Sequence, residues 1–159
     1  MVNENKDSSL PREQVDFVFS LYSKGHFKEA ISRIKLLNEE YPNVPLLFNL
    51  VGVCYKGLGQ LEGAIKMFEL AITLQPNYGE AHKNLGITLR DFGNLDDALI
   101  SLKKALTIEP EYIDAYYNLA STHKELGQLD DAVKSYEKAI DLNPNFAEAH
   151  INLGNVFKD

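Results

Sequence analysis

A pattern that returns every 34 residues constrains this chain more than any other feature. Prolines mark it at Pro42, Pro76, Pro110 and Pro144, glycines at Gly25, Gly59, Gly93 and Gly127, and alanines at Ala30, Ala64, Ala98 and Ala132. A fixed period of this length is the mark of stacked repeats, in which each unit buries its apolar face only against its neighbours. The chain's 159 residues therefore count repeats, not globules.

The unit is clearest in residues 79–112. Ala81, Leu85, Gly86 and Leu89 share one helical face, and Ala98, Leu102 and Ala105 share another further on. Gly93 stands where the first helix must stop. Asn94, Leu95, Asp96 and Asp97 open the second, with carboxylates at the positive end of its dipole. Pro110 has no amide hydrogen and biases Glu109 away from helical geometry, so the chain can reverse into the next copy. Each unit thus reads as a hairpin of two short amphipathic helices.

The columns of this hairpin resemble the tetratricopeptide repeat (TPR), whose signature runs large residue, Leu-Gly, aromatic, Ala, aromatic, Pro. Residues 45–78 supply Phe48, Val51-Gly52, Tyr55, Ala64, Phe68 and Pro76; residues 79–112 supply His82, Leu85-Gly86, Leu89, Ala98, Leu102 and Pro110. The next copy gives Tyr116, Leu119-Ala120, His123, Ala132, Tyr136 and Pro144, and a partial one gives His150, Leu153-Gly154 and Phe157. The resemblance implies an all-α fold, a right-handed α-solenoid of stacked antiparallel helix hairpins forming a TPR superhelix.

Residues 1–10 are polar and expected to be disordered, and Pro11 suits the first position of the first helix. The expected repeats are 11–44, 45–78, 79–112 and 113–146, followed by residues 147–159 as the first helix of a truncated fifth. The first copy diverges most. Val18 replaces a small residue, Leu37 replaces alanine, and Asn38 and Glu40 stand where later copies are apolar. A terminal cap accounts for this, since one solvated face admits polar residues without leaving buried groups unsatisfied. In the last helix Ile151, Leu153, Val156 and Phe157 make two apolar sides, so end-to-end self-association through 147–159 is a further expectation.

Catalytic constellations are not evident. His26, His82, His123 and His150 lack metal-binding spacing, so no metal and no cofactor is expected; His82 and His150 occupy the large-residue column and His123 the column of Tyr55, where packing explains them. Cys54, the single cysteine, faces neighbouring helices and reads as a small buried hydrophobe. A net charge of −7, with acids concentrated in helix first turns, argues against a nucleic-acid partner. No apolar run is long enough for a membrane span, and MVNENKDSS lacks an export-signal layout, so a cytoplasmic location away from membranes is expected.

What remains for function is surface. The resemblance implies a concave groove lined by columns two, five, six, nine, twelve and thirteen of each copy. Column six reads Asp16, Leu50, Asn84, Asn118, Asn152, a ladder of asparagines from the third copy onward. An asparagine amide both donates and accepts, so it can pair with a peptide unit whatever side chains that peptide carries. The same asparagines have a second explanation as solvated members of the repeat pattern. Column five adds Asn49, Lys83 and Tyr117; column twelve adds Lys56, Arg90 and Lys124, which the dipole of a helix C-terminus also explains. Towards the start the groove turns apolar through Val15, Phe19, Leu50 and Val53, with Ile87 continuing it.

The ladder is similar to that of the O-linked N-acetylglucosamine transferase family, whose repeats the AEAHINLG style of copy also resembles. Only Asn84, Asn118 and Asn152 carry this match; Leu50 and Asp16 break it. TPR domains that clamp the carboxylate tails of heat-shock chaperones need Lys and Asn in columns five and nine of one repeat, Asn in column six of the next, and Lys and Arg in columns two and six of a third. No window here supplies that set. The expectation is a non-catalytic scaffold for extended peptide segments of a protein partner. The alternatives are the substrate-recruiting fragment of a larger transferase-type enzyme and a self-assembling solenoid.

Overall fold

The computed structural model describes residues 10–158, which contain nine helices and no strand. They are α1 (Arg12–Ser23), α2 (Phe27–Glu40), α3 (Pro45–Gly57), α4 (Leu61–Leu74), α5 (Gly79–Phe92), α6 (Leu95–Ile108), α7 (Ile113–Glu125), α8 (Leu129–Leu142) and α9 (Ala147–Val156). Consecutive pairs form antiparallel hairpins, and within each unit described below the hairpins stack. The expectation of disorder before Leu10 lies outside the described residues. Two compact units, Met1–Gln75 and Pro76–Asp159, divide the chain.

Turn chemistry sets the helix ends. α5 stops because Gly93 takes the left-handed conformation at φ 92°, which costs glycine nothing; its N–H bonds the Arg90 carbonyl and the Asn94 N–H reaches back to Leu89 at 2.8 Å. The other three glycines of this column do the same. At the far end of each second helix the backbone leaves helical geometry one residue before the repeat proline, as at Glu109 (φ −126°, ψ 88°).

In the first unit, α2 packs on α1 and α3 around Val18, Ile34, Leu37, Leu47, Leu50 and Cys54, with Ala64, Phe68 and Ala71 buried on α4. Burial pushes the Cys54 thiol up to about 11, as suits an inert hydrophobe. Three details differ from the sequence expectation. Pro11 caps α1 and does not open it; its carbonyl accepts the N–H groups of Gln14 and Val15. Leu10 belongs to the structured chain and packs on the core. Asn38, replacing the apolar residues of later copies, leaves its Oδ1 buried without a hydrogen-bond partner. The substitution at Asn38 is therefore only partly solvated and carries a desolvation cost, whereas Glu40 is exposed.

In the second unit, α5/α6 and α7/α8 stack through α6 and α7, and α9 lies on α8. Small residues allow the close approach: a Cβ on Gly86 would lie 2.7 Å from Leu102 and 3.1 Å from the Ala98 carbonyl oxygen. His82 and His150 each place Nε2 2.9 Å from a proline carbonyl six residues earlier, Pro76 and Pro144, so each donates one hydrogen bond that ties its helix to the preceding turn. His123 Nδ1 lies 2.6 Å from Gln128 Oε1.

Candidate functional site

The second unit brings the column-six asparagines together on its first helices. Asn84 sits on α5, Asn118 on α7 and Asn152 on α9, all half-buried. Two of them hold neighbouring helices to each other. Asn118 Oδ1 accepts from Arg90 Nη1 at 3.1 Å, joining α7 to α5, while its Nδ2 donates to the Asp114 carbonyl at 2.7 Å. Asn152 Nδ2 donates to the Tyr117 hydroxyl at 2.8 Å, joining α9 to α7. The ladder is thus neither a set of free amides nor merely solvated. Of the four hydrogen-bonding positions on the Asn118 amide, two serve the fold.

Its surroundings are aromatic on one side and charge-balanced on the other. The Tyr117 ring meets Tyr136 edge-on, with centroids 5.8 Å apart, and Phe146 at 5.0 Å. The Tyr136 hydroxyl is 3.0 Å from Ser121 Oγ, and burial foremost raises its pKa, the Ser121 bond working against that. Lys83 Nζ lies over the Tyr112 ring, 5.0 Å from its centroid. Arg90 stands 3.4 Å from Asp91 and 3.6 Å from Glu125 as well as bonding Asn118. Its charge is already neutralised locally, which leaves it a helix-to-helix bracket and a poor anchor for an acidic ligand. Lys124 and Ile87 are half-buried nearby in sequence register.

The first unit departs from expectation. Asn49 is 1% exposed and Leu50 5%, so neither faces a groove. The cause is the composition of α3, PLLFNLVGVCYKG, which is apolar on nearly every side, so that burial extends over Leu47, Asn49, Leu50, Val51, Gly52 and Cys54 and takes in the columns expected to face outward. Val15, Val53 and Lys56 are half-buried, and Phe19 is exposed. Sequence columns missed the Arg90–Asn118 and Tyr117–Asn152 bridges. These join column twelve to column six of the next copy, and column five to column six of the next, so a periodic reading that compared columns between successive copies could have found them. Among the described residues no group of three or more His, Cys, Asp or Glu side chains is placed to hold a metal ion. No helix among them is long and apolar enough to cross a membrane.

Stacked hairpins with polar bridges between successive first helices define a helical-repeat scaffold of the kind used for protein–protein interaction. Residues 88–127 and 121–159 match a family model for the TPR repeat, and residues 46–78 match a second, for the tetratricopeptide repeat. The chain belongs to the tetratricopeptide-repeat family. No curated protein matches it.

Among solved structures it is similar to a crystal structure of MamA, at 27% identity and a TM-score of 0.80, covering 89% of this chain and 82% of that one. A thermophilic TPR protein of Thermus thermophilus is 22% identical with a TM-score of 0.81, covering 97% and 84%. The first TPR of Spaghetti (RPAP3), solved with an HSP90 peptide bound, is 22% identical with a TM-score of 0.71, covering 72% and 90%. At such identities the last two speak to the fold alone.

Proposed function

We propose that this protein is a non-catalytic interaction scaffold whose second unit holds an extended peptide segment of a partner protein along α5, α7 and α9. The observation that carries the reading is the spacing of Asn84, Asn118 and Asn152, one amide per hairpin, two of them fixed in place by bonds to the adjacent helix. Fixing matters. A side chain already held in one rotamer loses little entropy when it binds, and Asn118 retains one N–H and one lone pair for a peptide unit. Packed helices lie about 8 to 10 Å apart and an extended chain advances about 3.3 to 3.6 Å per residue, so each rung meets every second or third peptide residue.

Side chains around the rungs favour a segment of mixed or neutral character. Arg90 is paired with Asp91 and Glu125, and the carboxylate-clamp residues are missing, so an acidic chaperone tail is a poor ligand. The likeness of the rungs to those of the O-linked N-acetylglucosamine transferase family supports a second reading, in which the same groove recruits substrate to a transferase-type enzyme. Capture of partners from lysate, followed by mapping of the bound segment as synthetic peptides, tests both. The parent should bind such a peptide at micromolar Kd, and an Asn84→Ala, Asn118→Ala, Asn152→Ala variant of unchanged helicity should bind it at least tenfold more weakly. Equal binding by parent and variant would place the function elsewhere.

A further inference from the structure

Column twenty-eight of the repeat holds a large apolar side chain in the second, third and fourth copies. Leu106 on α6 and Ile140 on α8 each pack against a core cluster, and Ile72 on α4 is half-buried. The first copy has Asn38 there. Beside it, within the first unit, lies a hollow of about 410 Å³. Ile34 of α2, Leu47, Phe48, Val51 and Tyr55 of α3, and Met67 of α4 line it. The Asn38 side chain forms part of the wall, and its Oδ1 is buried without a hydrogen-bond partner. An open space and an unsatisfied polar atom are two costs to the fold at one place. Such departures from a template are tolerated where the site serves something besides the fold.

Size and lining decide the occupant. A volume of about 300 to 1,000 Å³ with mostly apolar walls and few polar groups is that of a small-molecule site. One turn of helix with its side chains is about 5.4 Å long and about 10 to 12 Å wide, on the order of 500 Å³, so a docked helix would lie mostly outside the hollow. An extended segment would bring an N–H and a C=O at nearly every residue. Against these the lining sets few polar side chains, Lys35, Asn38, Glu39 and the Tyr55 hydroxyl. Lys35 and Glu39 are exposed and of opposite charge one helical turn apart, so the site selects neither sign. The rings of Phe48 and Tyr55 and the thioether of Met67 favour a flat aromatic partner.

We propose that this hollow binds an uncharged aromatic compound of about two or three rings, held by apolar contact with α3 and α4 beside Asn38. The site lies on α2, α3 and α4 and shares no residue with the asparagines of α5, α7 and α9, so it stands independently of the peptide groove.

The probe is N-phenyl-1-naphthylamine, an uncharged aromatic compound whose fluorescence rises when it leaves water. Titrated into the full-length protein, it should saturate at one probe per chain with a micromolar Kd, and it should raise the melting temperature as a ligand of the native state does. Asn38→Leu restores the large side chain of the later copies. It should weaken probe binding at least tenfold while raising the melting temperature of the free protein, since it fills space and removes the orphaned oxygen. Asn38→Ala removes the same oxygen without filling the space and should retain binding. Phe157→Ser, at an exposed apolar side chain outside the hollow, should leave binding unchanged. The 8-sulfonate of the probe has the same rings and a negative charge, and should bind at least tenfold more weakly because the charge must be desolvated. The proposal is overturned by fluorescence that never saturates, by equal binding to Asn38→Leu, by loss of binding in Asn38→Ala or Phe157→Ser, or by a sulfonate that binds as tightly. It is also overturned if light scattering shows a dimer that the probe disperses, since the occupant would then be a second copy.

Discussion

Column ten of the repeat separates the copy at residues 45–78 from the two copies that follow it. In the first of these it holds Cys54, a thiol without a polar role, inside a helix that is apolar nearly all round. In the copies at 79–112 and 113–146 it holds Thr88 and Thr122, both fully buried, whose hydroxyls donate to the carbonyls of Asn84 and Asn118 at 2.7 and 2.8 Å. The same position of the hairpin template therefore carries an apolar group in α3 and a hydroxyl bonded to the backbone in α5 and α7. The polar lattice extends through Asn118 to Arg90 and through Asn152 to Tyr117. Packing specifies the fold in both units, and in the second polar bonds also tie successive first helices together.

The largest test of this contrast is a change in what the units share. Ala98 is fully buried against the small column of α5, and Ala98→Leu forces a branched side chain into that contact. A loss of about 1 to 3 kcal/mol is expected from overpacking, read by circular dichroism during urea unfolding. Ala64→Leu in the first unit should cost a similar amount, since its alanine is equally buried. A large cost in one unit and none in the other would mean that the shared template is not what holds both.

How much of this was legible beforehand follows the same division. The period led to a fold of stacked helical hairpins, because turn glycines, prolines and small packing residues act locally and look alike in each copy. It also assigned Cys54 to the core and gave His82 and His150 one satisfied polar atom each. It failed at Asn49 and Leu50, because a column names a face only when the helix has one, and α3 is apolar on nearly every side. The bridges were missed for another reason. Whether Arg90 meets Asn118 depends on side-chain reach between residues 28 apart in sequence on two helices, which no single column records.

Cys54 offers a sharper probe of the first unit. Its folded pKa, raised by burial to about 11, lies above its ordinary value of 9.0. Between those values the native state keeps a proton that the unfolded state has lost. The stabilisation is complete below pH 9 and falls as pH rises towards 11, by on the order of 1 kcal/mol at pH 10. Denaturant midpoints measured from pH 8 to 10.5 should show this slope, and Cys54→Ala should remove it. The threonines of column ten cannot titrate in this range, so a slope that survives in the alanine variant would belong to other groups, and the thiol would not be the distinguishing feature of the first unit.

The smallest effect expected is at Tyr136, where one copy of each unit can be made alike with one atom. Column twenty-four is Phe68 in the copy at 45–78 and Tyr136 in the copy at 113–146, both buried, and the hydroxyl adds only a 3.0 Å contact with Ser121 Oγ. Tyr136→Phe removes that bond but orphans nothing, because Ser121 Oγ also donates to the Tyr117 carbonyl at 3.0 Å. The cost should therefore sit at the low end of a single hydrogen bond, about 0.5 kcal/mol, with the Tyr117 ring still packed on the aromatic face. Ser121→Ala, by contrast, leaves the Tyr136 hydroxyl buried without this partner and should cost more, about 1 to 2 kcal/mol. If Tyr136→Phe proved the costlier of the two, the hydroxyl would be supporting the Tyr117–Asn152 bridge as well, and the polar lattice of the second unit would run unbroken from α8 to α9.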